Sequence, residues 1–190
     1  LHESFKGCEN ILAMGAELKS TFCMLADGQA TLSQHIGDLE HARAHADYGV
    51  TLDLYHHMYD FRPSCIAVDK HPDYFSTQRG QTLAYAAEIP LLSIQHHHAH
   101  TAAVLAEHGL AMDAAPVLGI TLDGLGLGDD DTLWGGEFLL ADFHSSKRLA
   151  CFQPVAMPGG TQAIREPWRN TFAQLKAAGW DEVACEFEAN

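Results

Sequence analysis

Short apolar runs and helical periodicities alternate along the chain, and they predict the elements in order. Residues 11–17 are apolar and end in Gly15-Ala16-Glu17; residues 20–25 form a second apolar run. Asp27-Gly28 is a tight-turn signal, and residues 29–35 complete a third candidate strand. Residues 39–58 have helical spacing with a polar face rich in His and Asp. A β-branched run follows at 65–69, stopped at His71-Pro72, and residues 76–88 read as a helix with Ser76 or Thr77 as N-cap and Pro90 closing it. Residues 91–95 read as a buried strand leading into a histidine cluster, and 101–108 as a helix ending at Gly109.

After a small hinge at 112–116 the opening pattern starts again. Residues 117–122 are an apolar strand ending in Asp123-Gly124, followed by a glycine-rich acidic turn. Strands at 137–141 and 148–155 come next, with a turn near His144-Ser145-Ser146, and one helix at 163–178. Two openings of three strands, the first followed by alternating helix and strand, predict a two-lobed α/β protein. The lobes divide as 1–111 and 115–190. The second is short, and we expect the sequence to be a piece of a longer chain.

Composition narrows the function classes. The 190 residues are 47% hydrophobic and 19% charged, ordinary globular material. With 11 Lys+Arg against 25 Asp+Glu the net charge is -14, which argues against nucleic acid as a partner, because phosphate contacts come from Lys and Arg. No apolar run reaches the roughly 18 residues of a membrane span. Five widely spaced Cys (Cys8, Cys23, Cys65, Cys151, Cys185) without a C-x-x-C fit free thiols in a reducing cytoplasm better than disulfides or a structural zinc site.

Thirteen His direct attention to Gln95-His96-His97-His98-Ala99-His100. At a helix start His96 and His100 stand one turn apart, the spacing two imidazoles need to share a metal. Chance supplies about one such pair in a chain this rich in His, and we read His41/His45 as a solvated helix face. What distinguishes His96/His100 is four His within five residues at the end of a strand, where α/β sites lie. The bland alternative is a polar cap on that strand. Asp123 is the best third ligand; its alternative is a plain Asp-Gly turn. The run from Asp123 through Gly124 and Gly126 to Gly128 matches neither the dinucleotide fingerprint nor the P-loop, and reads as a phosphate-facing β-turn. Asp129-Asp130-Asp131 reads as a solvated tip. Lys19 could reach a phosphate or be a solvated turn lysine. Gly159 and Gly160, in Pro158-Gly159-Gly160-Thr161, could offer amides to an anion or simply enter the last helix. Arg165-Glu166 reads as an ion pair. No thiol nucleophile and no G-x-S-x-G is present, so no catalytic residue is assigned.

Several blocks together resemble one family. They are 12–19 (Leu-Ala-Met-Gly-Ala-Glu-Leu-Lys), 33–39 (Ser-Gln-His-Ile-Gly-Asp-Leu), Asp69-Lys70-His71-Pro72, the His96–His100 block, Trp134-Gly135-Gly136-Glu137-Phe138, 157–160 and 165–167. This sequence is similar to the hydrogenase maturation carbamoyltransferases, the HypF family, in the last domain of those proteins, itself similar to the tRNA threonylcarbamoyl-transfer proteins. The resemblance implies a two-lobed actin/Hsp70/sugar-kinase-like (ribonuclease-H-like) fold, here with a truncated second lobe. It implies a divalent metal, zinc or iron, held by His96, His100 and Asp123 and positioning the phosphates of an adenylate. A further Asp ligand of the family has no equivalent before Asn190, and the family's acylphosphatase, zinc-finger and adenylate-forming domains lie outside this sequence. The implied reaction starts from carbamoyl phosphate and ATP, passes through carbamoyl-adenylate with release of pyrophosphate, and delivers the carbamoyl group to the C-terminal cysteine of the partner HypE. The short chain alone is expected to be inactive.

Three other readings compete. A metal-dependent hydrolase would need a general base; Glu107 is the nearest acidic candidate, two turns on, and no H-E-x-x-H exists. A non-catalytic nucleotide-binding or interaction lobe would make the His cluster structural. The tRNA-modifying relative is disfavoured by charge.

Overall fold

In a computed structural model, which describes residues 1–180, the first sheet has the order β3-β2-β1-β4-β5. Strands β1 (Ile11–Ala13), β2 (Cys23–Ala26) and β3 (Gln29–Leu32) pair antiparallel in sequence. The turn at Asp27-Gly28 has positive φ at both residues (47° and 73°), the geometry that matches strand twist in a two-residue hairpin. Strands β4 (Cys65–Asp69) and β5 (Leu91–Ile94) continue the sheet in parallel, with Asp69 opposite Ile94. The chain divides into compact units Leu1–Leu149 and Ala150–Asn190. Cys185, and residues 181–190 of the second lobe, lie outside the described residues.

Helix α1 (Ala42–Met58) starts later than its periodicity predicts. Leu39 is instead a core residue, 1% exposed, with its N–H bonded to Glu17. Tyr48, Thr51 and Leu52 form the buried stripe of α1, at the spacing of one helix face. Tyr48 and Leu52 pack with Leu12, Met14, Phe22, Met24 and Ile66 in the main core. Helix α2 (Phe75–Ala87) corrects the capping expectation. Its N-cap is Tyr74, and the first turn is closed by the Glu17 carboxylate accepting from the Phe75 N–H at 2.8 Å. Ser76 and Thr77 are buried, and the Thr77 hydroxyl donates to the Asp69 carbonyl. Gly80 lets α2 lie against the sheet, because a Cβ there would meet Val68 at 2.4 Å.

Strand β5 is not buried as expected. It ends the order of described strands, and Leu91 and Leu92 are exposed. Helix α3 (His96–Glu107) begins five residues before the predicted 101, because the Gln95 side chain accepts from the His98 N–H and caps the helix. The His41/His45 reading also needs correction. His45 stacks on Phe75 at 3.7 Å and its Nε2 bonds the Leu39 carbonyl.

The second sheet has the order β6-β7-β8, with β6 (Val117–Leu127), β7 (Leu133–Ala141) and β8 (Ser146–Cys151), so both openings are three strands joined in order. The glycine-rich run is not a β-turn. Strand β6 continues through it, with an irregular register between Leu122 and Gly126 and with Gly126 opposite Trp134. The chain reverses instead at Gly128–Thr132. The glycines are needed because large rings occupy the space over them: a Cβ on Gly126 would meet His97, and one on Gly128 would meet Trp134.

In the second unit the predicted single helix is two, α4 (Gln162–Arg165) and α5 (Trp168–Ala177), broken at Glu166-Pro167, where proline cannot continue the hydrogen-bond ladder. Glu166 pairs with Arg169 at 2.5 Å and accepts from Gln162, replacing the expected Arg165 pair.

Candidate metal and phosphate site

The parallel strands β4 and β5 end side by side, and α3 starts two residues after Ile94, so the sheet itself delivers Asp69 and His96 to one place. The side chains of both are largely buried, and His96 Nδ1 lies 2.6 Å from Asp69 Oδ2. His100, one turn on, turns its Nε2 to within 3.2 Å of His96 Nε2. From the second sheet Asp123 brings Oδ2 to 3.1 Å from the same His96 Nε2, an ionic contact without hydrogen-bond alignment. Asp123 Oδ1 is occupied by the Gly124 N–H at 2.6 Å, which leaves Oδ2 for the cluster.

Three ligand atoms from His96, His100 and Asp123 thus lie within 4.8 Å of one another. Atoms held about 2.0–2.1 Å from one tetrahedral ion are about 3.3 Å apart, so the contacts of 3.2 and 3.1 Å around His96 Nε2 are close to those of a shared ion. The residues therefore fit the divalent metal that the resemblance implies, and two imidazoles with a carboxylate suit zinc or iron alike. Asp123 Oδ2 is buried without a hydrogen bond, as expected of an atom whose partner is a cation.

Charge follows the same geometry. The carboxylates of Asp123 and Asp69 push His96 up to about 9, overcoming burial, while His96 and His97 hold Asp123 well below the usual carboxylate range. Burial, and then the neighbouring His96 charge, lowers His100. One ring of the pair thus favours its proton and the other favours its lone pair.

Around the cluster lies a shell the sequence did not single out. His97 is fully buried, with Nε2 3.5 Å from Asp123 Oδ2 and Nδ1 3.7 Å from Glu137 Oε2. Glu137 is paired with Arg148 at 3.0 Å, and the Arg148 guanidinium sits 4.2 Å over the Trp134 ring, which stacks on His97. Asp130 is no simple solvated tip: it accepts from Trp134 Nε1 and contacts Arg148, while Asp129 pairs with Lys70. Gln95 donates to the Leu127 carbonyl, and His98 Nε2 bonds the Asp142 carbonyl, so both tie α3 to the second sheet. The signal for this shell was the Asp69-Lys70-His71-Pro72 block at the end of β4 and the Trp134–Phe138 block within β7.

The phosphate candidates are placed less uniformly. Gly124 directly follows Asp123, and Gly126 lies under the His97 and His96 rings. Lys19 is exposed in the β1–β2 connection with φ 50°, its N–H bonded to Asp38. In the second unit, Gly159 and Gly160 have positive φ ahead of the four-residue α4, and the Gly160, Gln162 and Ala163 N–H groups already donate to backbone carbonyls.

Comparison with known proteins adds the family. Residues 6–107 match the model described as HypF Kae1-like domain, and residues 119–190 match that of the carbamoyltransferase Kae1-like domain, second subdomain. The carbamoyltransferase HypF of Rhodobacter capsulatus is 40% identical over 191 residues, covering 97% of this chain and 25% of that protein. Carbamoyltransferase HypF2 of Cupriavidus necator is 43% identical over 173 residues, covering 91% of this chain and 21% of its own. A crystal structure of full-length HypF in the phosphate- and nucleotide-bound form aligns with TM-score 0.79 at 36% identity, over 90% of this chain and 22% of that one. The chain thus spans about a quarter or less of the length of these relatives, and within that span its fold is the Kae1-like one. These two matched segments, the first carrying His96 and His100 and the second Asp123, show that the chain belongs to the HypF carbamoyltransferase family.

Proposed function

We propose that this chain is the part of a HypF enzyme that moves a carbamoyl group from carbamoyl-adenylate to the C-terminal cysteine of HypE. The observation that carries this is the convergence of one ligand atom each from His96, His100 and Asp123 within 4.8 Å in a chain of that family. In this reading the lobes are 1–111 and 115–190, and the setting is the cytoplasm; the free thiols of Cys8, Cys23, Cys65 and Cys151 support the latter.

His96, His100 and Asp123 would hold a zinc or iron ion. When bound, that ion supplies positive charge for the adenylate phosphates and favours AMP as leaving group. Gly124, next to Asp123, is proposed as a phosphate-binding residue through its backbone, although its N–H is bonded to Asp123 Oδ1. Lys19 and Gly126 of the first unit, and separately Gly159 and Gly160 of the second, are the further residues proposed for phosphate binding. The thiolate sulfur of the acceptor attacks the carbamoyl carbon, the S–C bond forms, the C–O bond to phosphate breaks, and AMP leaves with the electron pair. The thiol proton passes to solvent. No cysteine of this chain takes part. ATP and carbamoyl phosphate enter upstream, as substrates of the full-length protein.

The test uses the full-length protein with ATP, carbamoyl phosphate and HypE, following HypE carbamoylation by mass spectrometry. The His96→Ala/His100→Ala protein should lose transfer while keeping carbamoyl-phosphate-dependent AMP formation. Unchanged transfer would sink the assignment of the site.

A further inference from the structure

Asp69 is the last residue of β4 and is used at three atoms. Oδ1 accepts the His71 N–H at 2.8 Å, Oδ2 meets His96 Nδ1 at 2.6 Å, and the carbonyl accepts the Thr77 hydroxyl. Its side chain is 8% exposed, and β4–β5 pairing fixes its backbone opposite Ile94. A carboxylate has no proton to give here, so His96 Nδ1 must be the donor. In the neutral ring that a metal would require, a proton held on Nδ1 leaves the lone pair on Nε2, the atom that faces both His100 Nε2 and Asp123 Oδ2.

We infer that Asp69 is a positioning residue: by accepting from Nδ1 it fixes the tautomer and ring plane of His96 so that Nε2 is aimed at the point shared with His100 and Asp123. This rests on the metal-site reading proposed above. His100 is brought in by the helix turn that places its Nε2 3.2 Å from His96 Nε2. The requirement is directional. Asn at position 69 could keep the His71 bond through its carbonyl, but it would turn an NH2 toward Nδ1. That NH2 would draw the lone pair to Nδ1 and put the proton on Nε2, where it blocks ligation.

The experiment measures zinc affinity by chelator competition in the full-length protein, comparing wild type with Asp69→Asn, Asp69→Ala and His96→Ala/His100→Ala. The double variant gives the baseline for zinc held elsewhere. Asp69→Asn should weaken the remaining site by about 10- to 100-fold, the usual cost of losing a carboxylate partner of a ligating His. It should also be worse than Asp69→Ala. A merely structural role gives the reverse order, because Asn preserves the His71 bond and Ala does not; that order would overturn the inference. So would wild-type affinity in Asp69→Asn, or in Asp69→Ala should the Asn variant not fold. If the double variant retains all its zinc, the metal site itself is wrong and this inference goes with it. If the double variant loses zinc and the Asp69 variants do not, only the inference fails.

Discussion

Gly126 and His97 share one volume: a Cβ on Gly126 would sit 2.7 Å from His97 Cε1 and 3.0 Å from its Nε2. The glycine is therefore required by the ring above it, and the strand carrying Asp123 can pass under α3 only without a side chain at that point.

Gly126→Ala should consequently push His97 and His96 out of place and destabilise the protein by about 1–3 kcal/mol, the usual cost of overpacking. Gly49→Ala is the control. Gly49 lies in α1 with nothing within 4 Å of an added Cβ, so that change should be neutral or raise stability by up to about 1 kcal/mol. Thermal unfolding of the two variants separates the cases, and equal midpoints would refute the crowding argument.

Arg148 is the cation that balances Glu137, whose side chain is only 2% exposed. Arg148→Met should cost about 3–5 kcal/mol because it strands that carboxylate. In Arg148→Met/Glu137→Gln much of the loss should return. A double-mutant cycle in urea measures this, and a coupling near zero would mean that Glu137 finds its charge balance elsewhere.

Tyr48 donates its hydroxyl to the Met14 carbonyl at 2.7 Å in the fully buried core, where burial pushes the phenol strongly upward. Tyr48→Phe should destabilise by about 1–3 kcal/mol, since a buried carbonyl loses its partner. The urea midpoint should fall with an unchanged slope.

In the metal-free protein the pH dependence has a definite sign. His96 is raised from 6.5 to about 9 by Asp123 and Asp69, so its contribution is fully present below pH 6.5 and is lost as pH rises through about 9. Asp123, lowered from 3.8, contributes above that value and loses its contribution as pH falls through its depressed folded-state value. The thermal midpoint of metal-free protein should fall between pH 6.5 and 9, and His96→Ala should flatten that limb. A wild-type profile without the fall would show that the histidine–carboxylate contacts are not held in solution.

Much of this protein follows from local sequence rules. Apolar runs and a period-3.6 pattern put strands at 11–17, 20–25, 29–35 and 65–69 and a helix at 39–58, overlapping the strands at 11–13, 23–26, 29–32 and 65–69 and the helix at 42–58. Asp27-Gly28 fixed a hairpin, because helix stripe and turn chemistry act over a few residues. The i,i+4 pair His96/His100 was legible for the same reason: one helical turn brings both rings to one side. What the sequence could not express is anything set by approach between elements. Leu91 and Leu92 have a buried-strand composition, yet β5 ends the described strand order. Gly126 and Gly128 have turn composition, yet they lie beneath the rings of His97 and Trp134. Asp123 reaches His96 from 27 positions away, and Asp69 from 27 positions on the other side, only because β4, β5 and β6 bring their residues to α3. Periodicity shows which face of an element is apolar; only packing decides which elements meet there, and the Asp69–His96–Asp123 cluster exists only because they do.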